Sequence, residues 1–113
     1  MGMQAEVLCV GKYKKCINSF MEYSNDYDDV PEGTIVDNTI MRCESTHASR
    51  ELAEHLKVEI GKPTTYQIKE KNVDWSAISQ MSGQGWEYDD TDGVPALEAF
   101  LKAGFICLFK PNY

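Results

Sequence analysis

Two short runs of unbroken apolar residues, Val7-Leu8-Cys9-Val10 and Phe105-Ile106-Cys107-Leu108-Phe109, bound what this chain can fold into. Both are too short for an ordinary helix and far below the roughly 20 residues of a membrane span. The first reads as a buried strand over residues 5–10, and the second as a central strand. A third segment, residues 34–43, is β-branched and apolar, with its alternation broken at Asp37-Asn38. A bulge or a short hairpin would explain that break. In the fourth, Thr64, Tyr66 and Ile68 alternate with Thr65, Gln67 and Lys69, as in a strand with one wet face.

Helical spacing separates these strands. Tyr13, Cys16, Ile17, Phe20 and Met21 fall at i, i+3, i+4, i+7 and i+8, which predicts a helix over about 12–23 with all five on one face. Ser45 or Thr46 is placed to cap a helix over about 47–58, with Ala48, Leu52 and Leu56 as its core stripe and Ala53 at its edge. Asp74 is placed to cap a short helix that buries Trp75, Ile78 and Met81. Asp92 is expected to cap the last helix, with Pro95 in its first turn, a stripe of Ala96, Leu97, Phe100 and Leu101, and a stop at Gly104. The alternation of element types predicts an α+β fold: a small mixed sheet of about four strands covered by three to four helices. The chain, at 113 residues, has the length of a single compact domain spanning 1–113.

Charge divides the chain. Eighteen acids against eleven bases give a net −7, which repels a phosphate backbone and excludes general nucleic-acid binding and polybasic membrane association. From Cys16 to Met41 there are six acids and no Lys or Arg, and from Asn72 to Leu101 six more, again with no base. The remainder carries a net +5. Aromatic residues sit inside the acidic stretches: Tyr23 and Tyr27 beside Asp28 and Asp29, and Trp86 and Tyr88 beside Asp89 and Asp90. Aromatics supply contact area at an interface, and carboxylates attract a basic partner and speed its association. These eight residues form the candidate binding site. The basic remainder offers the same stretches a second copy of the chain as a partner.

Catalytic and metal chemistry is weakly encoded. His47, Glu51 and His55 share a helix face at steps of four, and Cys43 precedes them at the same spacing. His and Glu at i and i+4 are zinc-ligand types, but the metalloprotease spacing H-E-x-x-H is absent. These three residues are therefore weak metal candidates, and neither a metal nor a cofactor is assigned. Lys14 and Lys15 would stabilise a thiolate at Cys16, yet Cys16 lies on the predicted apolar stripe. Asp90-Thr91-Asp92-Gly93 is no calcium loop, because with Gly93 at loop position six the outer ligand positions fall on Tyr88 and Ala99. Gly83-Gln84-Gly85 lacks the third glycine of a dinucleotide fingerprint.

No secretory or membrane signal is seen, and four cysteines without a C-x-x-C pair point to a reduced, cytoplasmic setting. The best reading is a small acidic non-enzymatic protein-interaction module. Its size and charge fit immunity-type inhibitors or accessory proteins of mobile gene cassettes. The alternative is a binder of small organic cations, with acids and aromatics around a cleft. A thiol or metal-dependent enzyme using Cys16 or Cys43 with His47 or His55 ranks last.

Overall fold

The computed structural model describes residues 3–21, 30–58, 65–80 and 90–112, with side chains from residue 93 onward in the last segment. Four strands form one sheet in the order β2-β1-β4-β3: β1 Gln4–Lys12, β2 Ile35–Cys43, β3 Tyr66–Gln67 and β4 Ile106–Asn112. The expectation of a mixed sheet narrows, because every described pairing is antiparallel. The helical elements are α1 Thr46–Leu56, α2 Trp75–Ile78 and α3 Asp90–Lys102, with 3-10 helices at Lys15–Phe20 and Glu70–Asn72. The fold is α+β.

One face of the sheet carries the core. Val7 and Cys9 of β1, Met41 and Cys43 of β2, and Cys107 and Phe109 of β4 are buried there against helical residues. Those include Leu52 and Leu56 of α1, Ile78 of α2, and Leu97 and Phe100 of α3. The predicted stripe of α1 is confirmed in full: Ala48, Leu52, Ala53 and Leu56 are all buried. Ser45 caps this helix by accepting from the Ala48 N–H at 3.1 Å. A left-handed Lys57, with φ 60, ends it. Ser49, also buried, ties α1 to the sheet by donating from Oγ to the Met3 carbonyl, and the Met3 N–H donates to Thr46 Oγ1.

Two predicted helices differ, and the strand expected over 64–69 is limited to Tyr66–Gln67 among the described residues, with Thr64 outside them. Residues 12–23 do not form one α-helix: β1 continues through Gly11 to Lys12, and Lys15–Phe20 winds as a 3-10 helix. At three residues per turn, Ile17 and Phe20 face the same way while Cys16 is turned a third of a revolution off. Ile17 is therefore buried and Cys16 exposed, against the stripe expected from 3.6-residue spacing. In the last helix Asp92 is no cap. The helix begins at Asp90, which puts Pro95 beyond the first turn, where it cannot donate to the carbonyl four residues back. Gly104, at φ 91, ends that helix as expected.

The broken alternation in β2 has two sources. Val7 pairs with Met41 and Leu8 with Thr39, so the bulge is at Ile40 rather than at Asp37-Asn38. It resets the phase of the strand, and Ile40 and Met41 are both buried. Asn38 is the polar residue in a core-facing position, 5% exposed, and its Nδ2 donates to the Phe20 carbonyl at 3.5 Å. Gly11 is required by packing: a Cβ there would stand 2.7 Å from the Phe105 ring.

Candidate functional site

Of the eight candidate binding residues, Tyr23, Tyr27, Asp28, Asp29, Trp86, Tyr88 and Asp89 lie outside the described residues, and Asp90 is described by its backbone alone, as the first residue of α3. Met81, expected to be buried by the short helix that Asp74 caps, is outside as well.

The described residues that lead into these stretches are close together. Phe20 and the buried Met21 precede the first, and the Phe20 carbonyl is held by Asn38 of β2. The second leads into α3, where Gly93 lies against the Met41 side chain and the Ile40 carbonyl, 3.4 and 3.9 Å from a Cβ at that position. Both chain segments thus meet β2 within residues 38–41, a span of about 10 Å at the rise of a strand. The first 3-10 helix and α3 also touch each other directly.

Three of the four acids whose side chains are described in these stretches have partners. Glu32 accepts from the Lys15 N–H, Asp74 caps α2 by accepting from the Ala77 N–H at 3.1 Å, and Glu98 pairs with Lys102 at 2.7 Å. The Glu98 carboxylate holds the Lys102 ammonium above its ordinary range. Asp37 is exposed on β2.

The sheet face opposite the helices forms a second feature. Side chains alternate across a strand, so with Val7 and Cys9 in the core, Glu6, Leu8 and Val10 point the other way. Cross-strand register builds rows there: Arg42, Glu6 and Lys110; then Thr39, Leu8, Leu108 and Gln67; then Asp37, Val10 and Ile106; then Ile35 and Lys12. Glu6 lies 3.8 Å from both Arg42 Nε and Lys110 Nζ. Such half-exposed pairs contribute ~0–1 kcal/mol each, so they orient side chains more than they stabilise the fold. Ile106 is 53% exposed and Ile35 65% exposed. An open concavity of about 570 Å³ lies at the charged end, lined by Gln4, Glu6, Arg42, Glu44, Thr65 and Lys110 among others. Gln4 Nε2 donates to Glu44 Oε2 across it.

His47, Glu51 and His55 do share one face of α1. His47 Nε2 lies 3.4 Å from Glu51 Oε2, and His55 Nε2 lies 3.5 Å from Glu51 Oε1. One carboxylate thus stands between two imidazoles, and Glu51 Oε2 is buried without a hydrogen-bond partner in the described structure. Among the described residues no group of three His, Cys, Asp or Glu side chains is arranged to hold a metal ion. The thiols divide. Cys16 is exposed, whereas Cys9, Cys43 and Cys107 are buried. Burial pushes the Cys9 thiol far above its ordinary range, and the facing Cys107 thiol adds to the shift, which keeps Cys9 protonated and unreactive.

No family model, curated protein or solved structure matches the chain. Among the described helices none is long and apolar enough to cross a membrane. Sequence reasoning missed the open sheet face. Its signal was the pair of unbroken apolar runs, which call for cover on both faces of β1 and β4 from a chain whose described helices cover one.

Proposed function

We propose that this chain is a non-enzymatic protein-interaction module of the immunity, inhibitor or accessory kind, acting in the cytoplasm. Its acidic, aromatic-bearing stretches would dock together on a basic surface of another protein. The observation that supports this reading is that Phe20, which precedes the first group of candidate residues, and Gly93, which follows the second, both meet residues 38–41 of β2. Two separated acidic loops would each offer a weak field. Two whose described flanks meet β2 at points about 10 Å apart would add their charges, since that spacing is close to the screening length at physiological salt. Tyr23, Tyr27, Trp86 and Tyr88 would then supply the desolvated contacts that charge alone lacks.

The test is capture of partners from the native host by the wild-type chain and by a variant with Asp28, Asp29, Asp89 and Asp90 all changed to Lys. Capture at low salt that falls with rising salt and is lost in the variant supports the reading. Equal capture by both proteins at every salt concentration overturns it.

A further inference from the structure

We infer that the open face of the sheet is the contact surface for a second copy of this chain. This stands apart from the acidic-loop reading, since it uses none of the eight residues of that site.

The pattern of the strands is the first ground. Leu8, Val10, Ile106 and Leu108 form an apolar centre on that face, outside the core that the helices cover. Half-buried Leu8, Val10 and Leu108 surround an Ile106 that is 53% exposed. Mostly polar and charged residues ring them: Arg42, Glu6 and Lys110 at one end, Asp37 and Lys12 with the exposed Ile35 at the other, and Thr39 and Gln67 at the sides. An apolar centre inside a polar rim is the anatomy of a protein interface.

Charge selects the occupant. The whole chain carries −7, yet this face and its charged end hold Glu6, Asp37 and Glu44 balanced by Lys12, Arg42 and Lys110. It is therefore a surface on which two copies of an acidic chain can meet without facing like charge. Its mixed signs also suit a two-fold contact, in which one patch must complement itself. Consider a two-fold axis lying between two facing sheets and crossing the strands midway between the Leu8 and Val10 rows. It sets Leu8 over Val10 of the partner subunit, Leu108 over Ile106 of the partner subunit, and Glu6 over Lys12 of the partner subunit. Each contact occurs twice. Sheets packed face to face stand ~10 Å apart, which these side chains fill.

Area sets the strength. A strand the length of β1 is ~30 Å long, and three paired strands are ~15 Å wide, so the flat footprint is roughly 500 Å² per copy. That is below the ~800 Å² per partner of a standard stable interface, so a reversible dimer with a dissociation constant in the micromolar range is expected.

Sedimentation velocity of the purified chain over a concentration series of about 1–300 µM tests this, a range chosen to bracket that affinity. The expected result is a monomer at the low end shifting to a dimer at the high end. Ile106→Lys should raise the dissociation constant about tenfold or more, because it places two charges in the apolar centre. Lys12→Glu should weaken the dimer as well, by setting like charges against Glu6. Far-UV circular dichroism checks that both variants fold, and the exposed Lys12 position serves as the independent reporter should Ile106→Lys not fold. A monomer across the whole series overturns the inference, whatever other protein that face then binds. A dimer that survives both substitutions unchanged overturns it too.

Discussion

The two faces of the sheet are built from the same strands and each has apolar residues along β1 and β4, yet those residues have opposite fates. Cys107 and Phe109 of β4, with Phe105 just before it, are closed under the helices, while Ile106 and Leu108 between them lie on the open side. On β1, Val7 and Cys9 are fully buried, and Leu8 and Val10 are not. Burial here follows which side of the sheet the helices occupy, and hydrophobicity alone does not decide it. The covered face holds the fold together, and the open face leaves Ile106 exposed and Leu8, Val10 and Leu108 half-buried.

The comparison breaks most directly at neighbouring positions of β4. Phe109→Ala should cost ~3–5 kcal/mol, from lost transfer energy and the cavity left against Tyr66 and its neighbours. That is a large share of the ~5–15 kcal/mol total of an ordinary domain, so urea unfolding should show a much lower midpoint or no folded baseline. Gly11→Ala comes next, at ~1–3 kcal/mol, because its Cβ would press into the Phe105 ring on the covered side. A thermal melt showing wild-type stability would mean that Phe105 is free to move. Ser45→Ala should cost ~1 kcal/mol by uncapping the helix that covers this face, with a small drop in melting temperature. Smallest is Ile106→Thr on the open face, within ~0.5 kcal/mol in urea unfolding at a dilution where the chain is monomeric. A cost near that of Phe109→Ala would erase the distinction between the faces.

Local physics made much of the helical layer legible. Ala48, Leu52 and Leu56 at steps of four leave one solution for the face of α1, and Ser45 and Asp74 are side chains that satisfy a helix start wherever it falls. Gly104 stops α3 because only glycine adopts its positive φ without strain. The reading failed where a tertiary constraint changed the local geometry. The stripe from Tyr13 to Met21 fits 3.6 residues per turn, but Lys15–Phe20 winds more tightly, and Cys16 is turned out to solvent. Asn38 looked like a turn signal, whereas it is a buried polar group holding the Phe20 carbonyl, and the bulge that resets β2 lies at Ile40. The acidic stretches were legible as composition, but that their flanking segments meet on β2 was not, since residue 21 and residue 90 are far apart along the chain.

By itself the sequence determined the strands β1, β2 and β4, the Ser45 and Asp74 caps, the buried stripe of α1 and the segregation of charge, because each depends on interactions within about one helical turn or one strand. Only the tertiary structure decided which face of β1 and β4 the helices cover, and which residues stand beside β2. Both are set by long-range packing, where one apolar run is chemically equivalent on its two sides until a second layer chooses between them.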